Sequence, residues 1–361
     1  MEEFRGFFSA VPDPRAANAR HELSEVLFIA LAAVLCGAES CADMALFGRS
    51  KEGALRQVLR LRYGVPSHDT FSRVFRLLDP KAFEAVFRRF TLALGRHLGG
   101  VVAIDGKAVR GAYMRGKRTS PLHLVNVWAV DARLALAQYT APGRNEVAGA
   151  LRALRLLSLK DCIVTADALH CRRDIAAAVL AQGGHYVLAL KDNQPTLIAA
   201  AQRLLARRGG DRAVQRPVLS HDRRESRRAL VVADPTLATT LRFPGLAAVA
   251  RIDTRRQPKG KPAETFTRYF LLSTPLAAER LLRVVRDHWS IENQLHWVLD
   301  VVLNEDAARN RAGHGPENIA IVRKLALNAL RSHPDKISLR GKIKRAGWQD
   351  AFLFSLFAHM R

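Results

Sequence analysis

Asp105 and Asp167 each follow a short apolar run, Val101–Ile104 and Cys162–Ala166. Apolar runs of that length bounded by turn residues read as buried strands. Both carboxylates therefore stand at strand C-terminal ends, where α/β sheets bind ligands. If the two strands are neighbours, the carboxylates converge despite their separation in sequence. Clustered carboxylate oxygens hold hard divalent cations such as Mg²⁺. Glu292 is the candidate third member. It lies in Trp289-Ser290-Ile291-Glu292-Asn293, an otherwise apolar and aromatic stretch, where a charge calls for a partner or a metal. Glu292, His296 and Asp300 recur at i, i+4 and i+8, one face of a helix. Taken singly, each has an ordinary reading: an Asp after a strand makes a turn, and a helical Glu pairs with a nearby Arg. His296 reads as a hydrogen-bonding neighbour of the carboxylates rather than a ligand. Lys107 is either a phosphate contact or a solvated turn lysine. Lys191-Asp192-Asn193-Gln194 follows the next strand and edges the same site or caps the helix at Pro195.

The elements that must position these residues change character along the chain. Residues 1–98 read as helical: Ser24–Cys36, Ala42–Phe47, Leu55–Leu61, Phe71–Leu78 and Phe83–Leu98. Ser67 is a good N-cap, and Asp79-Pro80 separates two helices. Gly99-Gly100 marks a boundary. Beyond it come strands at Val101–Ile104, Leu122–Val130 and Leu134–Tyr139, a helix at Val147–Leu157, a strand at Cys162–Ala166, a helix at Arg172–Ala181 and a strand at His185–Leu190. Three antiparallel strands followed by α/β crossovers predict a mixed sheet covered by helices. That is the element order of an RNase H-like fold. From 202 to 272 the pattern becomes β-rich and basic, with a net charge of +9 from Gln202 through Glu264, and reads as an insertion in that domain. Leu276–Leu303 and Pro316–Leu330 return to helix. Residues 336–361 form a basic tail.

The 361 residues carry a formal net charge of +24. Such an excess points to a polyanionic partner, nucleic acid before membrane. Arg223, Arg224, Arg227 and Arg228 in the insertion, and Arg340, Lys342, Lys344 and Arg345 in the tail, are the candidate DNA contacts. The run Val26–Cys36 is too short for a membrane span and lacks the basic flank of a signal peptide. The four cysteines form no CxxC pair, which fits a reducing, cytoplasmic setting. Phosphate-binding loop, GxSxG, HExxH and zinc spacings are absent from the sequence.

These residues together resemble a known family. The matching stretches are Phe7-Phe8 with Pro12–Arg15, Ala33–Ser40, Pro66–Arg73, Ala103–Lys107, Asn145-Glu146, Thr165–His170, Tyr186–Gln194, His288–Val301 and Pro316–Asn318. In this order, over nearly the whole chain, they resemble the insertion-sequence transposases of the ISAs type, the H-repeat-associated proteins of the DDE transposase superfamily. The resemblance implies that Asp105, Asp167 and Glu292 are the catalytic, metal-binding triad. It implies two Mg²⁺ ions, replaceable by Mn²⁺, and cleavage at element ends followed by strand transfer into target DNA. It also implies double-stranded DNA as partner, a homodimer on that DNA, and a location in the cytoplasm at the nucleoid. Lys107, His170, Lys191, Asn193, His288 and His296 are expected around the triad or against DNA. Two positions depart from the pattern. Where the wider superfamily carries Tyr and Arg upstream of the glutamate, this chain has Val285 and His288, leaving that role open between His288 and Arg286. Arg172 stands where relatives have Gln. The rival readings are a catalytically silent DNA-binding derivative and a stand-alone nuclease of the same fold.

Overall fold

The computed structural model describes residues 2–94, 99–112, 121–141, 143, 145–220 and 223–358. The chain opens with six helices: α1 (Glu2–Phe8), α2 (Leu23–Leu35), α3 (Cys41–Ser50), α4 (Glu52–Leu55), α5 (His68–Leu77) and α6 (Pro80–Leu94). α2 is apolar on all sides and almost wholly buried, as a central core helix must be. Among the described residues no helix is long and apolar enough to cross a membrane. Ser40 and Asp43 cap α3 reciprocally, and Ser67 caps α5, each supplying acceptors to first-turn N–H groups that have no helical partner.

The next segment alternates as expected: β1 (Gly100–Val109), β2 (Leu122–Ala129), β3 (Leu134–Thr140), α7 (Glu146–Leu154), β4 (Cys162–Ala166), α8 (Arg173–Ala181), β5 (His185–Leu190) and α9 (Pro195–Arg207). β1–β3 form an antiparallel meander, and β4 and β5 add parallel to β1, in the order β3-β2-β1-β4-β5. This is the RNase H-like arrangement.

The basic segment does not form a body of its own. β6 (Asp211–Ser220), β7 (Arg223–Ala233), α10 (Leu237–Thr240), β8 (Ala248–Pro258) and β9 (Glu264–Leu272) follow. β9 pairs with β5, and β8, β7 and β6 continue outward, giving one nine-stranded sheet. α9 runs through the expected boundary at Gln202, so the inserted strands begin at Asp211. The apolar parts, Ala229–Val232, Ala248–Ile252 and Phe270–Leu272, are buried. The other ends of β7–β9 are held mainly by the ladders, Arg223–Arg228 against Asp253–Pro258 and Asp253–Arg256 against Glu264–Thr267.

Helices cover both faces. α7, α8 and α9 pack on Val102, Ile104, Val125, Val164 and Leu188. After β9 come α11 (Ala278–His288), a π-helical turn (Ile291–His296), α12 (Trp297–Val301), α13 (Gly315–Ser332), α14 (Leu339–Trp348) and α15 (Asp350–Ala358). α11 packs on Val101, Ile163, Val187 and Ala250. Residues 291–330 share one apolar cluster with α1–α6 and with Ala103, Trp128 and Ala135 of the sheet. The N-terminal helices thus complete the core on that face. Because side chains alternate along a strand, Asp105, two residues beyond Ala103, faces the same helices.

Candidate active site

β1 does not end at Asp105. Its parallel pairing with β4 stops at Ile104 and Ala166, while its antiparallel pairing with β2 continues to Val109. Asp105 therefore sits where the sheet opens on one side, and Asp167 is the next residue at the same level of β4. Adjacent strands run about 4.8 Å apart, so the two carboxylates start from neighbouring backbone positions. At Gly106 the Glu146 carboxylate packs against the strand where a side chain would otherwise stand, so a larger residue there would displace it.

Asp167 is held by its own turn. Its Oδ1 accepts from the backbone N–H groups of Leu169 (3.1 Å) and His170 (3.3 Å) and from the His170 ring Nδ1 (2.8 Å). Burial alone would raise its pKa, but the His170 hydrogen bond and these N–H donors outweigh it and hold the carboxyl below its ordinary value. Asn193 and Gln194 clamp the turn, donating to the carbonyls of Ala168 (2.8 Å) and Cys171 (3.0 Å). Asn193 thus positions Asp167 from behind, whereas Lys191 is exposed.

Glu292 arrives from the opposite wall. α11 ends at His288, and the following segment is π-helical, a local widening common at functional sites. Ile291 and Leu295 anchor it in the core, while Trp289 and Trp297 stand about half exposed at its ends. Trp128 Nε1 donates to Ser290 Oγ (3.0 Å), and Arg331, lying over the Trp128 ring, donates to the Gln294 carbonyl. One ligand atom each from Asp105, Glu292 and His296 lies within 4.8 Å of the others. Burial, then the Glu292 carboxyl, then the charge of Asp167 push the Asp105 pKa upward. The His296 ring facing it pulls that of Glu292 down. Crowded carboxylates of this kind suit a hard divalent cation.

His288 lies beside these carboxylates, with Nδ1 3.1 Å from Thr165 Oγ1. Burial pushes its pKa down to about 4 despite the nearby Asp167 and Glu292 charges, so at neutral pH it is an uncharged imidazole. Arg286 is exposed on α11, and Val285 is a core residue.

Several expectations need correction. Lys107 is no free phosphate contact: it is buried, with Nζ 2.6 Å from Asp300, 3.2 Å from Glu305 and 3.2 Å from Asp306. Asp300 accordingly belongs to the lysine, not to the Asp105–Glu292 carboxylate cluster. Lys342 is buried and donates to the carbonyls of Leu330 (2.7 Å) and His333 (2.9 Å), satisfying the end of α13. Arg345 pairs with Asp335 and lies over Phe352. Arg227 pairs with Glu225. Arg224, Arg228, Arg340 and Lys344 are exposed. The side chain of Arg223 and residues 359–361 lie outside the described residues.

Sequence reasoning missed Asn126 and the interior charges. Asn126 stands opposite Asp105 across β1–β2, and Gln138 opposite Asn126 across β2–β3. Gln138 Oε1 accepts from the fully buried Lys324 (2.7 Å), whose Nζ is 3.5 Å from Glu305. The available signal was a polar residue inside an apolar run: Asn126 within Leu124–Ala129, and Lys324 within Ile319–Leu330.

Two family models match the chain. Residues 6–91 match the family described as DDE_Tnp_1-associated, and residues 96–329 match the transposase DDE domain. The chain belongs to the DDE transposases. A relative named "Putative transposase YncI", from Escherichia coli O157:H7, is 32% identical over 357 residues, covering 96% of this chain and 90% of its own. The "H repeat-associated putative transposase YhhI" of E. coli K12 is 32% identical over 374 residues, covering 99% and 98%. A solved structure titled as a piggyBac transposase synaptic complex with hairpin DNA matches at a TM-score of 0.46 and 14% identity, over 99% of this chain and 80% of that one. The transposase DDE match contains Asp105, Asp167 and Glu292.

Proposed function

We propose that this DDE transposase cleaves DNA at insertion-sequence ends and transfers the freed strands into target DNA, with Asp105, Asp167 and Glu292 as its catalytic carboxylates. The observation that carries the reading is their placement: two at the open ends of neighbouring parallel strands, the third facing them from the π-helical turn. Their all-oxygen donor set and mutual repulsion fit Mg²⁺ or Mn²⁺, and two such ions are the expected complement. Bound there, the ions would neutralise phosphodiester charge and lower the pKa of water or of a 3′-hydroxyl.

The protein's own part is positioning and electrostatics. His170 and two backbone N–H groups keep Asp167 ionised. Asn193 fixes its turn. Trp128, Ser290 and Arg331 hold the segment that carries Glu292. The exposed Arg224 and Arg228 on the outer sheet, with Arg340 and Lys344 on α14, supply a basic surface for duplex DNA. On this reading residues 1–98 and the strands inserted after α9 grip the ends, and the active form is a homodimer on DNA at the nucleoid.

The test is a labelled duplex carrying the gene's own flanks, incubated with Mg²⁺ or Mn²⁺ and either the protein or Asp105→Asn, Asp167→Asn or Glu292→Gln. Discrete cuts at an inverted repeat, abolished in all three variants while binding persists, are expected. Cleavage that survives in the variants refutes the assignment. Binding without cleavage in either metal makes the chain a DNA-binding derivative.

A further inference from the structure

His296 Nδ1 lies 3.5 Å from Glu292 Oε2 and 3.8 Å from Asp105 Oδ2. Both separations exceed a strong hydrogen bond and suit donors arranged about one cation. On the far side of the ring, Nε2 lies 3.2 Å from Asn126 Nδ2. Asn126 is fully buried, and its Oδ1 has no hydrogen-bonding partner. A buried amide oxygen without a donor is costly, and this one sits on the residue that chooses the imidazole tautomer.

Two arrangements are available. With Nδ2 donating to Nε2, the ring proton resides on Nδ1 and points at Glu292. Turning the amide by half a rotation brings Oδ1 to Nε2. The ring proton then moves to Nε2 and is donated to Oδ1, and the Nδ1 lone pair faces Asp105 and Glu292. Three electron pairs would then converge with no proton among them, an arrangement that only a cation stabilises.

We infer that His296 is a nitrogen ligand of the cation held by Asp105 and Glu292, and that Asn126 is the residue that orients it. Histidine ligands are set by the acceptor on their other nitrogen, and losing that acceptor costs roughly 10–100-fold in metal affinity. A nitrogen donor also moves preference toward Mn²⁺ and Co²⁺ over Mg²⁺, which favours oxygen. Asn126, a polar residue in a buried strand directly opposite Asp105, thereby acquires a purpose that packing does not give it. The inference rests on the triad reading above.

The experiment uses the full chain without DNA. Mn²⁺ binding is followed by electron paramagnetic resonance, with spin-echo detection of nitrogen coupling and Mg²⁺ affinity taken by competition. Wild-type protein should display nitrogen coupling to bound Mn²⁺. His296→Gln should abolish the coupling and weaken Mn²⁺ by about tenfold or more, with a smaller change for Mg²⁺. Asn126→Ala should weaken Mn²⁺ similarly, while Asn126→Asp, isosteric and acceptor only, should retain both binding and coupling. Circular dichroism confirms that each variant is folded, and Asn126→Asp carries the test if Asn126→Ala is not. Absent coupling in the wild type, or Mn²⁺ binding unchanged in His296→Gln, overturns the inference. Asp105→Asn separates the two levels: if it does not weaken Mn²⁺, the triad reading fails as well; if it does and His296→Gln does not, only the role of His296 fails.

Discussion

Asp105→Asn should make the metal-free protein more stable while removing its cation response. Asp105 and Glu292 present ligand oxygens no more than 4.8 Å apart. Two like charges at that distance, at an effective dielectric of about 20, repel by about 3.5 kcal/mol. Glu292 is about half exposed, so solvent screens part of this and about 1–3 kcal/mol remains. Asparagine keeps the shape of the side chain and removes the charge. The sign with pH follows from the raised pKa of Asp105. The native metal-free protein keeps a proton that the unfolded chain releases near pH 4, so wild-type stability declines as pH rises through the interval from there to the raised value. The variant's advantage should be absent at pH 4 and full above that interval. Urea unfolding of both proteins at several pH values, with and without Mn²⁺, measures it. Mn²⁺ at 100 times its Kd should add about 2.7 kcal/mol to the wild type and little to the variant. A variant less stable than wild type at pH 7.5, or equal Mn²⁺ stabilisation of both, would refute the reasoning.

The buried charges predict a different outcome. Lys324→Met leaves Glu305 inside the core with Lys107 and the neighbouring Arg323, at a cost of about 3–5 kcal/mol; adding Glu305→Leu should restore much of that loss, as urea midpoints of the two variants will tell. His170→Ala removes the leading cause of the low Asp167 pKa, so the acid limb of the cleavage pH profile should move to higher pH. Arg224→Ala and Arg228→Ala should each reduce the slope of log affinity against log salt by about one contact, measured by fluorescence anisotropy on duplex DNA. Lys342→Ala should instead lower thermal stability and leave that slope unchanged, because its ammonium caps α13.

Much of the first half of the site was legible. Short apolar runs ending in Asp place a carboxylate at a strand end whatever surrounds them, and β4 and β5 begin and end at the residues expected. β1 ran on past Asp105 because β2 supplied a partner for Gly106–Val109, a non-local contact with no signal in those residues. The outer parts of β7 and β8 and all of β6 were hidden for a related reason. Arg223–Arg228 shows no apolar alternation, and the strand exists because a neighbouring ladder satisfies its backbone. The lysines mislead in the opposite direction. Lys107 and Lys342 have the composition of solvated residues, and only burial against Asp300, Glu305 and the end of α13 gives them structural work.

By itself the sequence determined the strand and helix order from Val101 to Leu190 and the basic excess, and it singled out Asp105, Asp167 and Glu292 as the candidate carboxylates. Tertiary structure decided the rest: that β6–β9 extend the same sheet, that the N-terminal helices close its core, and that Asn126 stands behind His296 and the carboxylates. The physical reason is range. Periodicity and capping act over a few residues and are written locally. Strand pairing, burial of charge and convergence of side chains depend on partners far along the chain, which only the folded protein brings together.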